Sequence, residues 1–500
     1  MYNKSANLIS DLDQGSTWGE IASDLFNYQI IHGFGWSFSF VSIVFSSLLL
    51  SASFICALSG AVKIAAIIAG LWNFIVVVIS PRTGIVLILA LQIWDTALNP
   101  EEESGYNWLS PVRVLTALCI VAFIINNLWH SEERIKGVRE PLFLFLSFAI
   151  VGLIPGIAAE DRFRSLMATS KLLILLGFVW VGIRVLSKPK TIIQAMCIAV
   201  IGAGTGSLFI LVSGIATRAE AEHRLALAGL GVNTLGVSLG LFIIVAIGLL
   251  VFRRSILFVA ISSASSLIMM ATLLRTGTRS PLVAIPLSLI LGSLLVYRKQ
   301  VHKTLILTIF VSLLIGGVFV WSLKSGFVRG DLRDRILSIF ESKTFSENVR
   351  LSLWKESLNI YSKNPFGVGP GNEIYAFYKF STSGRSALES HNTFFSVLIE
   401  YNIFGLLIFV IAMMWVAIKI FTIKIKPLKL IAIMIFIYLM FNSMKGSIVG
   451  NRLMWQPTML ILIFTEIDMR LHEQACQKQI DNDEVVYSED IEITAYQGNM

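Results

Sequence analysis

Asn233-Thr-Leu-Gly-Val-Ser-Leu-Gly-Leu-Phe-Ile-Ile-Val-Ala-Ile-Gly-Leu-Leu-Val-Phe252 runs without a charge until Arg253 and Arg254 close it. As a helix this stretch is about 30 Å long, the thickness of a bilayer's hydrocarbon core. Comparable runs recur at 36–58, 62–79, 84–98, 111–129, 141–157, 170–186, 191–215, 255–274, 280–297, 303–323, 392–418, 428–444 and 453–467. With the first they make fourteen expected spans; the runs at 84–98 and 453–467 are short, so twelve is the alternative count. Composition agrees: hydrophobic residues are 55% of the chain and charged ones 14%, too few to cover a soluble 500-residue protein. A bilayer requires each span to satisfy its own backbone hydrogen bonds. The fold class expected is therefore all-α, a polytopic membrane helical bundle with a helical extracytoplasmic loop domain.

The loops set the orientation. With residues 1–35 as a cytoplasmic segment, the inward loops hold Arg82, Arg134, Lys136, Arg139, Lys188, Lys190, Arg253, Arg254, Arg298, Lys299, Lys303, Lys424, Lys426 and Lys429. The opposite short loops carry Glu101-Glu102-Glu103 and Glu160-Asp161. This is the positive-inside pattern, and it puts both termini in the cytoplasm. It also accounts for the net charge of +8 without a nucleic-acid partner. The remaining organisation is a bundle at 36–323, an outer loop domain at 324–391, two or three closing spans at 392–467 and an acidic, disordered cytoplasmic tail at 468–500. Residues 1–35 have no basic segment ahead of an apolar core, so no cleavable signal peptide is expected. Cys56, Cys119, Cys197 and Cys476 have neither disulfide-framework nor metal-ligand spacing.

Three segments meet the outer surface in this topology. In Leu-Leu-Arg275-Thr-Gly-Thr-Arg279-Ser-Pro the two arginines share a face if the helix continues. If it breaks at Gly277, they can still converge beside exposed N–H groups. Either form suits a diphosphate, because guanidinium forks match phosphate oxygens; the plainer reading is that both snorkel to the interface. The segment 216–232 carries Arg218, His223 and Arg224, with Glu220 and Glu222 near enough to neutralise them. The long loop contains Thr344-Phe-Ser-Glu347, a capping-box pattern, and a helix expected over 347–362 with Val349, Leu353, Trp354, Leu358 and Tyr361 on one stripe. Arg350 borders that stripe. Gly367-Val-Gly369-Pro-Gly371 reads as a tight turn rather than a nucleotide loop, for no strand precedes it. His391 opens an apolar helix, where the helix dipole favours the neutral imidazole that a general base requires. Glu389 is close enough in sequence to orient that ring; the alternative is a capping or interfacial histidine.

The order of these elements resembles the O-antigen ligase and O-antigen polymerase superfamily of bacterial membrane glycosyltransferases. The resemblance spans about residues 200–465 and is strongest in Arg350-Leu-Ser-Leu-Trp354, in Asn364-Pro365-Phe-Gly367-Val-Gly369-Pro-Gly371, and in His391-Asn392 followed by Glu400-Tyr-Asn-Ile-Phe-Gly405. Thr278-Arg279-Ser280 looks like the family's Ser-Arg-Gly, with Ser280 in place of the glycine. Arg224 occupies the place of an upstream arginine, and Asn233-Thr234 stands where members often have Pro-Asn. The resemblance implies transfer of a glycan from undecaprenyl diphosphate to a glycan, lipid or protein hydroxyl at the periplasmic side of the inner membrane. His391, Arg279 and Arg224 would be catalytic, and Arg275, Arg350 and Asn392 substrate-binding. No metal, cofactor or nucleotide-sugar is expected. A transporter of a small anionic solute is the competing class, but such sites gather at the bilayer midplane, and the charges here gather at one face.

Overall fold

The computed structural model describes residues 76–77, 80–94, 111–129, 137–213, 216–218, 225–227, 232–251, 256–297, 317, 345–381 and 389–497. The expected span at 36–58, those at 62–79 and 303–323 apart from residues 76–77 and 317, the first 35 residues and the Thr344 cap lie outside them. The architecture is an all-α bundle: α1 (Pro81–Ala90), α2 (Pro111–Trp129), α3 (Arg139–Val151), α4 (Leu153–Ala158), α5 (Arg162–Leu186), α6 (Pro189–Ser213), α7 (Val232–Val251), α8 (Ile256–Thr276), α9 (Arg279–Val296), α10 (Phe345–Lys363), α11 (Glu373–Phe380), α12 (Thr393–Thr422), α13 (Lys426–Ser443) and α14 (Arg452–Gln497). Among the described residues, eight helical stretches are long and apolar enough to cross a bilayer: Arg139–Ala158, Arg162–Leu186, Pro189–Val212, Asn233–Val251, Phe258–Thr276, Arg279–Val296, Thr393–Thr422 and Lys426–Ser443.

The core runs the length of the bundle. α7, the charge-free run from Asn233, packs against α6, α8 and α13, while α3 packs on α12 and α5 on α14. Phe145 meets Trp455 edge-on at 5.0 Å, and the indole N–H of Trp455 donates to the Val449 carbonyl at 2.7 Å. A polar staple closes the end opposite the outer loops. Glu466 accepts from the Gly137 amide and from Arg470, both at 3.0 Å, and Asp468 accepts from the Lys424 and Ile425 amides at 3.1 and 2.9 Å. Apolar side chains such as Phe143 (69% exposed) and Phe404 (67%) ring the outside. In water such a belt would be an aggregation hazard; in a bilayer it is the lipid-facing surface.

Four points are added or corrected. Within the expected span at 84–98 the described helix is Pro81–Ala90, followed by a turn at Leu91 and helical residues 92–94; the run is short, as expected. The tail is not disordered from 468, because α14 continues to Gln497 after its early turns bury Asp468, Leu471 and Ala475. The segment after α6 forms a hairpin, β1 (Ala216–Arg218) antiparallel to β2 (Leu225–Leu227), with Arg218 opposite Leu225. The buried stripe of α10 is Leu353, Ser357 and Ile360, whereas Leu358 faces out. That helix packs on α11 and on the start of α12, and this rotates the stripe by about one residue from the purely apolar pattern.

Candidate active site

Two helix breaks on the same end of the bundle organise the outer-loop residues. The first lies between α8 and α9. Gly277 has φ +63°, a conformation in which a side chain is strained, and it turns one helix into the next. Arg275 stands in the last turn of α8 and Arg279 is the first residue of α9, both half-buried. The hydroxyls hold the turn: Thr276 Oγ1 donates to the Leu273 carbonyl at 2.7 Å and accepts from the Thr278 amide at 3.3 Å. The break alternative for the two arginines is thus the one realised. Arg279 sits at a helix N-terminus, where the backbone's partial positive charge adds to its own and favours an anion.

The second break lies inside α12. Asn402 has φ +62° and interrupts the helix after Tyr401. The freed carbonyls of Ile399 and Glu400 accept the amides of Val368 (2.9 Å) and Gly369 (3.1 Å) from the turn after α10. Asn402 completes the join. Its Nδ2 donates to the Phe366 carbonyl at 3.1 Å, and its Oδ1 caps the resumed helix by accepting from Phe404 and Gly405. Gly367, at φ +86°, lies so close that a Cβ there would be 2.8 Å from the Glu400 carbonyl. The Gly-rich string is a turn, as expected, and it plugs the gap in α12. Asn372 then ties the turn to α5 through Ser165 Oγ at 2.8 Å.

His391 stands just before α12. Its φ of +49° is unusual for a residue with a side chain. Ser390 before it donates its amide to Glu373 Oε1 at 2.8 Å, and Asn392 after it caps α12 by accepting from the Phe394 and Phe395 amides. The other oxygen of Glu373 accepts a short hydrogen bond from Ser396 in the first turn of α12. The imidazole is partly open to solvent. Desolvation by the surrounding protein holds its pKa below the ordinary value; the nearby Arg350 charge lowers it further, and the Glu373 carboxylate opposes both. The expected direction holds, but its source differs: burial and an arginine take the place of the helix dipole.

Glu373 is the residue sequence reading missed. It is buried, and burial raises its pKa against the hydrogen bonds from Ser390 and Ser396. Its neighbour Glu389 adds like charge and is itself raised by burial; no bond orienting the His391 ring comes from it. A third carboxylate, Glu400, accepts the Glu373 amide at 3.2 Å. Glu373, Glu389 and Glu400 therefore form a carboxylate group near His391, and the hydrogen bonds of Glu373 and Glu400 hold backbone and hydroxyls. Asn392, expected at the substrate, has its Oδ1 engaged in the cap.

α10 brings in Arg350. Trp354 stacks on Phe395 with ring centroids 5.7 Å apart and 26° between planes, so the helix lies across the first turns of α12. This places the Arg350 charge where it acts on His391.

The first break is connected to the start of α12. Ser280 donates to Asn442 Oδ1 at 2.6 Å, the Asn442 carbonyl accepts the Gly446 amide at 3.1 Å, and the Gly446 carbonyl accepts Thr393 Oγ1 at 2.7 Å. Arg279 precedes the first residue of that path, and His391 lies two before the last. Arg224 and His223 are outside the described residues, as is the side chain of Arg218. A groove of about 440 Å³ lined by Arg139, Phe143 and Trp415 lies at the other end of α3 and α12, away from these groups.

No curated protein matches the chain. Residues 264–410 match the family described as O-antigen ligase, a stretch running from within α8 to within α12 and containing Arg275, Arg279, Arg350, Glu373 and His391. That match supports a relationship of this stretch to the O-antigen ligase superfamily.

Proposed function

We propose that the chain transfers a glycan from an undecaprenyl-diphosphate carrier to an acceptor hydroxyl at the periplasmic face of a bacterial inner membrane. The observation that supports this most is the hydrogen-bonded path from the Arg279 hinge to the start of α12. It links the segment that carries Arg275 and Arg279 to the one that carries His391, which is the arrangement a diphosphate site with a nearby base needs. The opposite end carries Arg139, Lys188, Lys190, Lys424, Lys426 and Lys429, which by the positive-inside rule belongs in the cytoplasm.

In this reading the polyprenyl tail lies in lipid and its diphosphate rests at the α8–α9 break. Arg279 and Arg275 hold it, with Arg350 from above and Arg224 from the hairpin loop. The acceptor hydroxyl gives its proton to the His391 imidazole as its oxygen bonds to the anomeric carbon. The bond from that carbon to the phosphate oxygen breaks, and undecaprenyl diphosphate leaves with the electron pair. The arginines stabilise the charge on the leaving group. One displacement inverts the anomeric centre. Asn392 and Glu373 act on the histidine by fixing the backbone on either side of it.

Complementation of a bacterial strain lacking the gene tests the reading. Wild-type protein restores surface glycan, and His391→Ala at equal membrane abundance does not; restoration by the variant would overturn the role of His391. Glycan lengths in the deficient strain separate two versions of the reaction. Single repeat units indicate a polymerase, and full chains left on the carrier indicate a ligase.

A further inference from the structure

The segment between α13 and α14, beyond the stretch that matches the family, lies on the path that joins the first break to the start of α12. Lys445 is part of it. The amides of Lys445 and Gly446 both donate to the Asn442 carbonyl, at 3.0 and 3.1 Å, and the side chain of Asn442 holds Ser280, next to Arg279. On its other side the segment is pinned to the start of α12. Thr393 Oγ1 donates to the Gly446 carbonyl and accepts the Ile448 amide at 3.2 Å, and the Ser447 and Ser396 hydroxyls lie 2.7 Å apart. Lys445 therefore belongs to the segment that links Ser280, next to Arg279, with Thr393, two residues after His391. Its side chain is exposed, its ammonium lies 5.8 Å from the centre of the Phe441 ring, and a Cβ added at Gly446 would meet nothing within 4 Å.

We infer that Lys445 is a further anion-binding residue of the transfer site, taking the diphosphate of the lipid-linked donor between Arg279 and His391; the inference rests on the reading proposed above. A lysine suits this position. Its ammonium is a mobile point charge on a flexible stem, and can follow a diphosphate as it changes from ester to leaving group. The competing role is a cation complementing the C-terminal dipole of α13. That role would affect stability and leave donor recognition untouched.

Full-length protein in lipid vesicles, with donor and acceptor titrated separately, tells these apart. Lys445→Gln is expected to raise the KM for donor about tenfold, the loss of one charge-assisted hydrogen bond. The KM for acceptor and the melting temperature should stay unchanged, and Lys445→Arg should restore most of the donor affinity. An unchanged donor KM in Lys445→Gln, or a loss that follows a lowered melting temperature and is not rescued by arginine, overturns the assignment. Direct binding of undecaprenyl diphosphate reads the same residue without turnover: weaker binding by Lys445→Gln supports the inference and equal binding sinks it. Failure of the transfer reaction in the wild type would count against the function, while this binding comparison would still decide Lys445.

Discussion

The breaks at Gly277 and Asn402 interrupt helices at the same end of the bundle and are used in opposite ways. At Gly277 the chain turns by itself, held by two threonine hydroxyls, and leaves an arginine on either side. At Asn402 the freed carbonyls are filled at once by the amides of a glycine turn, and the asparagine caps the resumed helix. One break presents cations, and the other is plugged and rigid. Residues at one end of the bundle thus divide into those that would meet a substrate and those that hold the frame, and substitutions should separate the two groups by what they change.

The largest effect is expected at His391, on the frame's exposed edge. In a purified transfer assay His391→Ala should lower kcat by about 10²–10⁴-fold, the usual contribution of a general base, with little change in donor KM. Arg279→Ala should come next, losing about ten- to a hundredfold, the equivalent of one charge-assisted hydrogen bond to phosphate, chiefly in donor KM. If Arg279→Ala left donor KM unchanged and only lowered the melting temperature, the open break would be structural after all.

The plugged break should respond in stability. Gly367→Ala places a Cβ against the Glu400 carbonyl in a left-handed conformation, so about 1–3 kcal/mol of destabilisation is expected. The folded protein that remains should keep near-normal turnover per molecule. A normal melting temperature with a large loss of kcat would instead put the turn in the chemistry.

Much of this division was legible in the sequence, and the unread part has a physical cause. The apolar runs gave the spans, and Thr-Gly-Thr between two arginines gave the first break its alternatives. The second break was hidden. Glu400-Tyr-Asn-Ile-Phe lies inside a longer apolar run that reads as one span, and the freed carbonyls are met by a turn more than thirty residues upstream that supplies the missing donors. Glu373 was invisible for the same reason, as its partners Ser390 and Ser396 lie on a different element. The stripe of α10 was misread because Ser357, a polar residue, takes a buried place by bonding its own helix at the Leu353 carbonyl.

The smallest effect is electrostatic. Because burial and Arg350 hold the His391 pKa below its ordinary 6.5, the imidazole stays neutral in mildly acidic solution. The acid limb of kcat/KM should therefore lie below that value. Arg350→Gln removes a charge that opposes protonation, so the histidine's pKa should rise and the limb should move to higher pH. A limb that stays in place would mean that Arg350 does not act on His391.

Purified protein supplied with undecaprenyl-diphosphate glycan and candidate acceptors, with products weighed by mass spectrometry, tests the central claim most directly. The account predicts glycosylated acceptor and one released undecaprenyl diphosphate per transfer from the wild type, almost none from His391→Ala, and clearly less from Arg279→Ala when donor is limiting. Equal product from all three proteins would contradict it.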